Sequence, residues 1–322
     1  MKAARFYGRG DIRVEAIPDP PPPADDELQI DVHWAGICGS DLHEYVAGPM
    51  VINTHAHPHP LTGGTIPITM GHEFCGRVRD PGSSNLKAGQ AVMVDPRIYC
   101  GTCQNCAEDN DNMCLSWGFL GLNGGGGGGA GFSERVNVKS RMVYPLAEGV
   151  DLANAAIIEP LVVARHALSV SGVSSFEDKN VLVVGGGPVG VAVLYNLKAK
   201  SVGRVFVSEP TARRSEIVKE LGLLSEMDVF NPLLVSVPQK CKEATGGRGV
   251  DIVFDCAGID KGLTAGLEAL RAKGTYVNVA GWETPVSLRL LFDPENADHA
   301  VRCSINACHA QRNYYKILNG VR

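Results

Sequence analysis

The stretch VLVVGGGPVG, residues 181–190, constrains the fold of this chain more than any other. An apolar run with the character of a β-strand leads into three spaced glycines, and the helical pattern VAVLYNLKAK follows directly. A G-x-G-x-x-G pattern between a strand and a helix permits a tight turn, approach of the backbone to a pyrophosphate, and close packing of helix on strand. The sequence therefore predicts a dinucleotide site at this helix N-terminus, formed by Gly185, Gly187, Pro188, Val189 and Gly190.

The second half of the chain alternates apolar runs with helical patterns. The predicted strands are NVLVV, RVFVSE, DIVFDCAG and GTYVNVAG, and the predicted helices cover residues 188–200, 211–222 and 261–272. Uniformly apolar strands separated by helices are typical of a parallel sheet covered on both faces. We therefore expect a doubly wound α/β domain, in which DCAG either borders the nicotinamide ribose or forms only a turn.

Glu209 ends the predicted strand RVFVSE, 19 residues after Gly190. A carboxylate at this position can accept hydrogen bonds from the ribose hydroxyls, and it would repel a 2′-phosphate. The sequence thus favours NAD over NADP. Arg213 and Arg214 weaken that preference slightly; they are either part of the cofactor site, as we predict for Arg214, or solvated residues at a helix start.

The first half consists of short β segments divided by glycine and proline, which predicts a mostly β, barrel-like domain. With 322 residues the chain exceeds the size at which a single core usually keeps growing, so two domains are expected. PDPPPPADDE, residues 18–27, reads as an extended surface connection. GLNGGGGGGAG, residues 121–131, is either a flexible loop or a place of close backbone approach.

Four cysteines lie within 15 residues, in CGTCQNCAEDNDNMC. Four thiolates at such spacing fill the coordination sphere of one tetrahedral zinc ion, which predicts a structural zinc site. An iron–sulfur cluster is the rival assignment, and four independently packed cysteines are the remaining one. The metal would fold a loop that has few apolar residues of its own. The predicted ligands are Cys100, Cys103, Cys106 and Cys114.

The amino-acid composition limits the kinds of molecule that this protein is expected to bind. Hydrophobic residues make up 44% and charged residues 20% of the chain, and the net charge is -5. Without a basic excess, nucleic acids and anionic membrane surfaces are not expected partners. The N-terminus MKAARFYGRG lacks the apolar core of a signal peptide, and no apolar stretch is long enough to span a membrane. We therefore expect a cytoplasmic protein whose cysteines serve metal binding or catalysis.

Four motifs follow one another along the chain: GICGSDLHEY, PITMGHEFCGRV, the four-cysteine segment and VLVVGGGPVG. This combination resembles the zinc-containing medium-chain alcohol dehydrogenases over residues 1–285. Within that family, HPHPLTGGTIPITMGHEF, IIEPLVVARHAL and VSEP are similar to the 2,3-butanediol dehydrogenase branch, with sorbitol and other polyol dehydrogenases nearby. The resemblance implies a GroES-like catalytic domain over 1–158 with a zinc lobe at 95–120, and a Rossmann NAD-binding domain over 159–290.

The resemblance also implies a catalytic zinc ion, held by Cys38, His72 and an acidic ligand. A thiolate, an imidazole and a carboxylate leave one coordination position open, which a catalytic zinc needs. Glu73 and Glu159 both remain candidates for the acidic ligand. An alternative for Glu159 is a helix-start carboxylate that the helix dipole favours.

The family's proton relay corresponds to Ser40 and His43, and Asp41 would orient a zinc ligand or the relay. The reaction implied is hydride transfer from a secondary alcohol or vicinal diol to NAD, in a homodimer or homotetramer. His55, His57 and His59 invite the interpretation of a further metal site, but we expect a loop beside the substrate pocket instead.

The sequence departs from the family after GTYVNVAG. AVRCSINA predicts a last strand and QRNYYKILNGVR a helix, and we expect residues 291–322 to be a divergent, truncated tail without the family's returning segment. Two alternative functions follow. One is a sorbitol- or xylitol-type polyol dehydrogenase, and the other is a catalytically silent dinucleotide-binding homologue.

Overall fold

Short strands separated by turns dominate the first part of the computed structural model, which describes residues 1–282 and 300–303. The described residues divide into two compact units at Glu159/Pro160. The strands of the first unit are β1 (Lys2–Gly8), β2 (Asp11–Ala16), β3 (Glu27–Gly36), β4 (Ile68–Thr69), β5 (Glu73–Asp80), β6 (Ala91–Val94), β7 (Arg97–Ile98), β8 (Gly118–Phe119), β9 (Arg135–Lys139) and β10 (Val143–Pro145). Its helices are α1 (Gly39–Ala47), α2 (Gln104–Ala107) and α3 (Leu152–Ala155), with 3-10 turns at Asp111–Met113, Gly126–Gly128 and Ser140–Met142.

The largest sheet of the first unit is antiparallel, with the strand order β10-β6-β5-β3-β9. A second sheet has the order β2-β1-β4, and β7 pairs with β8. Apolar side chains from facing strands, among them Ile30, Phe74 and Val136, form one buried cluster. The first unit is therefore mostly β, as the sequence predicts, and its strands β5, β6 and β9 carry runs of buried residues.

The glycine-rich segment at 121–131 lies against other backbone. A Cβ atom at Gly121 would run into the carbonyl of Gly71, and one at Gly131 would lie 2.9 Å from the same residue. Gly121 also has a φ of 91°, which strongly favours glycine. Of the two interpretations of this segment, close backbone approach is the one that the structure supports.

Helix α4 (Ile158–Val170) leads into the second unit. There the elements alternate as β11 (Asn180–Val184), α5 (Pro188–Ala199), β12 (Arg204–Ser208), α6 (Ala212–Glu220), β13 (Val229–Phe230), α7 (Val237–Ala244), β14 (Val250–Asp255), α8 (Asp260–Ala269), β15 (Leu270–Asn278) and β16 (Ala300–Cys303), with a 3-10 turn at Glu226–Asp228. All neighbouring strands are parallel, in the order β13-β12-β11-β14-β15-β16.

Strand β11 is buried on both faces, which explains its uniformly apolar sequence. Val181 and Val183 pack into one apolar cluster with residues of α5, while Leu182 and Val184 pack into another with residues of α7 and α8. Because successive side chains of a strand alternate between faces, both layers of helices need apolar partners here. The predicted doubly wound parallel sheet is confirmed.

Two predicted elements differ in extent. The helix expected at 261–272 ends at Ala269, and β15 begins at Leu270, earlier than the predicted strand. Of the predicted strand AVRCSINA, Ala300–Cys303 is described as β16. The helix predicted for QRNYYKILNGVR and most of the expected tail 291–322 lie outside the described residues.

Candidate metal and dinucleotide sites

The end of β3 and the start of β5 bring Cys38, His72 and Glu73 together in the first unit. Cys38 follows β3 and caps the N-terminus of α1, and Glu73 begins β5, which pairs with β3. One ligand atom from each residue lies within 4.8 Å of the others. A thiol, an imidazole and a carboxyl group at this separation match the donor set of a zinc site with one open position.

Glu73 reaches this cluster because its cross-strand neighbour is Gly36. The side chain of Glu73 occupies the space where a Cβ atom of residue 36 would be, and it would contact that atom through Oε2. Glu73 is 8% exposed, so the close passage over β3 directs a carboxylate into the interior. Gly36 is therefore part of what shapes the cluster.

The imidazole of His72 is 3% exposed and has polar groups on both sides. Its Nε2 is 3.2 Å from Oγ of Ser40, and its Nδ1 is 3.8 Å from Oδ1 of Asp41. The other carboxylate oxygen of Asp41 accepts the N–H of Cys38 at 3.0 Å. Asp41 thereby connects the two residues that carry the nitrogen and sulfur ligand atoms. The ring of Phe119 packs edge-on against His72 at 5.6 Å.

Burial raises the pKa of the acidic groups in this cluster and of Glu159 beside it. It raises the pKa of the Cys38 thiol, and the nearby carboxylates of Glu73 and Glu159 raise it further. Burial and the neighbouring Glu159 raise the pKa of Glu73 to about 7, and burial raises that of Glu159 to about 7. Three acidic groups so close together favour a bound cation, which would stabilise their charged forms. The donor set fits zinc.

Glu159 lies beside this cluster rather than within it. It is the second residue of α4 and is 4% exposed, so the helix-start interpretation also describes its position. Its carboxyl oxygens are not among the ligand atoms that lie within 4.8 Å of one another, whereas those of Glu73 are. Glu73 is thus the better placed of the two candidates for direct coordination.

His43, the second residue expected in the relay, lies on α1 and is half-buried. A Cβ atom at Gly39 would be 3.9 Å from its Nε2, which places the imidazole beside the first turn of α1. The Ser40 hydroxyl, in contrast, contacts His72.

The four cysteines of the predicted lobe form a second cluster. Their sulfur atoms are separated by 3.5 Å (Cys103 to Cys106, and Cys114 to Cys100), 3.9 Å and 4.0 Å. Backbone N–H groups of Thr102 and Cys103 lower the pKa of Cys100 to about 6, while burial raises that of Cys106 to about 12. A tetrahedral metal ion would deprotonate all four thiols. The cysteines of the described chain are free, so none of these pairs is a disulfide.

A buried arginine joins this lobe to the sheet. Arg97 on β7 is fully buried, and its guanidinium donates to both carboxylate oxygens of Asp95 and, at 2.5 Å, to Asp111 inside the lobe. From Cys114 the chain continues through Trp117 to Phe119, so only four residues separate the last cysteine of this cluster from the ring that contacts His72. The N–H groups of Ser116 and Trp117 donate back to Cys114, which fixes the start of this segment.

In the second unit, the glycine turn has the shape that a pyrophosphate requires. Gly185 has a φ of 98°, Gly187 caps α5, and Pro188 is the first helical residue. A Cβ atom at Gly190 would run into the carbonyl of Gly185, so the helix packs too close to the strand for any side chain. The first N–H groups of α5 have no intrahelical acceptor and point toward the turn. These residues fit a dinucleotide.

Glu209 directly follows β12 beside this turn and is 2% exposed. Its Oε2 accepts the N–H of Gly186 and its Oε1 accepts the N–H of Thr211, both at 2.8 Å. Each oxygen keeps a further lone pair for a ribose hydroxyl. The guanidinium of Arg214 lies near Gly187, where a Cβ atom would be 3.8 Å from it.

Arg213 points elsewhere and pairs with exposed glutamates of its own helix, as a solvated residue does. In DCAG, the fully buried Asp255 accepts the N–H groups of Ala257 and Gly258 and the hydroxyl of Tyr276. This carboxylate fixes the turn at the end of β14.

The three histidines of THAHPHP do not converge. His55 and His57 are exposed, and His59 is 3% exposed and turned inward. None of them belongs to a group of metal-binding side chains within residues 1–282. Gly36, Arg97, Phe119 and His59 were absent from the predicted site. Only the spacing of His59 in a histidine-rich motif could have singled it out.

Across the described ranges, no helix combines the length and the apolar character needed to cross a bilayer.

Comparison with known proteins identifies both halves of the chain. Residues 24–148 match the alcohol dehydrogenase GroES-like domain, and residues 188–315 match the zinc-binding dehydrogenase family. The (R,R)-butanediol dehydrogenase of Neisseria gonorrhoeae is 39% identical over 292 residues, which are 90% of this chain and 80% of that protein. The (R,R)-butanediol dehydrogenase of Saccharomyces cerevisiae is 36% identical over 304 residues, which are 88% of this chain and 77% of that protein.

Among solved structures, 2R,3R-butanediol dehydrogenase from Bacillus subtilis superimposes with a TM-score of 0.84 at 32% identity, covering 99% of this chain and 88% of that one. The predicted pairing of a GroES-like domain with a Rossmann domain is confirmed. The family resemblance seen in the motifs is confirmed as well. The chain belongs to the zinc-binding medium-chain alcohol dehydrogenases, in the butanediol dehydrogenase branch.

Proposed function

We propose that this protein oxidises a vicinal diol of the 2,3-butanediol type to the hydroxyketone, with NAD as the hydride acceptor, and catalyses the reverse reaction. The observation that carries the proposal is the cluster of Cys38, His72 and Glu73, whose ligand atoms lie within 4.8 Å of one another. The relatives named as (R,R)-butanediol dehydrogenases support the substrate class.

The chain would bind two zinc ions, a catalytic one at Cys38, His72 and Glu73 and a structural one at the four cysteines. When bound, the catalytic ion supplies Lewis-acid stabilisation of the negative charge on the alcohol oxygen, and the nicotinamide accepts the hydride. Glu159, beside the cluster, would orient a water molecule or stabilise the charge of the ligand set. The expected cytoplasmic location is compatible with the free cysteines of the described chain.

The protein's own groups would handle the proton. In the structure Ser40 contacts Nε2 of His72, the atom that would coordinate the metal. If Nε2 is directed at a metal ion instead, the Ser40 hydroxyl would be available to accept a hydrogen bond from the substrate alcohol. His43, on the same helix, would then carry the proton outward. Asp41 would hold Nδ1 of His72 and keep the imidazole turned toward the metal.

NAD is favoured over NADP because the carboxylate of Glu209 ends β12 where the ribose 2′-oxygen binds in this fold. Its two backbone hydrogen bonds fix the carboxylate in place. A 2′-phosphate would meet that fixed negative charge. Arg214, beside Gly187, would contribute a positive charge toward the pyrophosphate.

A substrate panel tests this function. The zinc-loaded protein would be assayed with (R,R)-, (S,S)- and meso-2,3-butanediol, sorbitol and xylitol, with NAD and NADP in parallel, and the Cys38→Ser variant would serve as the control. We expect NADH formation from a butanediol isomer in the wild type and none in the variant. Faster turnover of sorbitol or xylitol would replace the diol by a polyol as substrate, and no turnover of any of these alcohols would refute the proposal.

A further inference from the structure

The histidine-rich motif THAHPHP contains one residue that the proposed function leaves unused. His59 lies in the loop between α1 and β4 and is 3% exposed, whereas His55 and His57 are exposed. A buried imidazole needs partners for both ring nitrogens, and the structure supplies them.

The hydrogen bonds of His59 define its tautomer. Nδ1 accepts the N–H of Thr62 at 3.3 Å, and a backbone N–H can only donate. The ring proton therefore lies on Nε2, which donates to the carbonyl oxygen of Trp117 at 3.2 Å. His59 thus links its own loop to the segment Trp117–Phe119.

The contact between His59 and this segment is very close. A Cβ atom at Gly118 would lie 2.5 Å from Nε2 of His59, so the imidazole rests directly on the backbone of residue 118. The next residue, Phe119, packs its ring against the imidazole of His72 at 5.6 Å and against Trp117 at 4.8 Å. A displacement of the Trp117 carbonyl would therefore move the aromatic rings beside His72.

A second residue fixes the far end of the segment. Asn123 accepts the N–H of Phe119 through Oδ1 at 2.7 Å and donates to the carbonyl of Val51 at 2.9 Å. The hydroxyl of Thr62 donates to the carbonyl oxygen of Asn123. The segment is thus held at both ends by the loop that contains His59.

We propose that His59 is a positioning residue for the reaction: its Nε2–H holds the Trp117 carbonyl and thereby keeps Phe119 packed against His72. The inference rests on the proposed function, in which His72 binds the catalytic zinc. The side-chain hydrogen bonds of His59 go to Trp117 and Thr62, outside the cluster of Cys38, His72 and Glu73.

Two substitutions separate the roles of the two ring nitrogens. In His59→Gln, the amide nitrogen can take the place of Nε2 and still donate to Trp117. In His59→Asn, the shorter amide can take the place of Nδ1 and accept from Thr62, but it cannot reach Trp117. His57→Asn, at an exposed position two residues away, is the matched control.

The measurement that needs no substrate is acrylamide quenching of Trp117 fluorescence. Trp34→Phe and Trp282→Phe leave Trp117 as the only tryptophan of the chain. In this background we expect greater quenching in His59→Asn than in the parent, with His59→Gln and His57→Asn unchanged. In the enzyme with all tryptophans present, we expect kcat/KM to fall about tenfold in His59→Asn, because small misplacements near the reacting groups are costly.

The results decide between positioning and simple packing. A kcat/KM of His59→Gln within about threefold of wild type, together with greater quenching and slower turnover in His59→Asn, supports the proposal. Equal quenching in His59→Asn and the parent overturns it, and so does an equal loss in both variants that follows their melting temperatures. If the wild type oxidises no diol, the proposed function fails, and the quenching comparison still decides the role of His59.

Discussion

Oδ1 of Asp41 lies 3.8 Å from Nδ1 of His72, and within residues 1–282 neither buried atom has a hydrogen-bond partner. Unpaired polar atoms in an interior are costly, and a small rotation of the imidazole would pair these two. In that pairing Nδ1 would carry the proton and donate to Asp41, which would leave Nε2 as the nitrogen able to coordinate a metal ion. Asp41 is therefore placed to orient His72 as a metal ligand.

Replacing Asp41 by Asn should weaken zinc binding at this cluster. The amide lacks the negative charge that favours a proton on Nδ1 of His72, so we expect the zinc dissociation constant to rise by about 10- to 100-fold. Competition with a chromophoric chelator measures it. Asp25→Asn, on an exposed loop, is the control, and equal zinc affinities in the two variants would contradict the assignment.

The two clusters should lose their metals independently. Cys38→Ser should remove one zinc ion per chain and abolish turnover while leaving thermal unfolding of the protein little changed. Cys103→Ser should remove the other ion and lower the melting temperature, because metal binding in a lobe of this kind contributes directly to folding. Metal analysis with calorimetry distinguishes these outcomes. Loss of both ions in Cys38→Ser would show that the sites are not separate.

Gly36→Ala should impair the cluster through steric contact alone. The new methyl group would meet the Glu73 carboxylate, and overpacking of this kind costs about 1–3 kcal/mol. We expect a lower melting temperature and weaker zinc binding. Gly39→Ala is the matched control, because its methyl group would come no closer than 3.9 Å to His43. Wild-type zinc affinity in Gly36→Ala would mean that Glu73 is not a ligand.

Glu209→Gln should reduce the preference for NAD over NADP. A hydrogen bond to a charged group contributes about 1.5–3 kcal/mol, so the ratio of kcat/KM values should fall by roughly tenfold or more. The amide also removes the repulsion of a 2′-phosphate. Glu216→Gln, exposed on α6, is the control. An unchanged ratio would place the choice of cofactor elsewhere.

Much of the fold could be predicted because its signals are local. The strand, turn and helix around Gly185 and Gly190 lie within 20 residues, and their geometry leaves few alternatives to a parallel sheet. The four cysteines are likewise close in sequence. In the structure each sulfur atom lies within 4.0 Å of two others.

The parts that could not be predicted depend on strand register and on long-range packing. That Glu73 passes over Gly36 follows from the pairing of β5 with β3, which no local pattern specifies. No sequence pattern marks Arg97 as buried, because arginine is seldom fully buried. Only its contacts with Asp95 and Asp111 explain its position. The distances that group Glu73 rather than Glu159 with Cys38 and His72 likewise depend on long-range packing.

The five Cα–Cα steps from Cys114 to Phe119 can span about 18 Å at most. The segment that connects the four-cysteine lobe to the ring beside His72 is thus shorter than the diameter of a small domain. Damage to the lobe, such as oxidation of its thiols, would free this segment at Cys114. The hydrogen bond from His59 to the Trp117 carbonyl would still hold its middle. Oxidation of the lobe would therefore act on the packing around His72 as well as on the stability of the lobe itself.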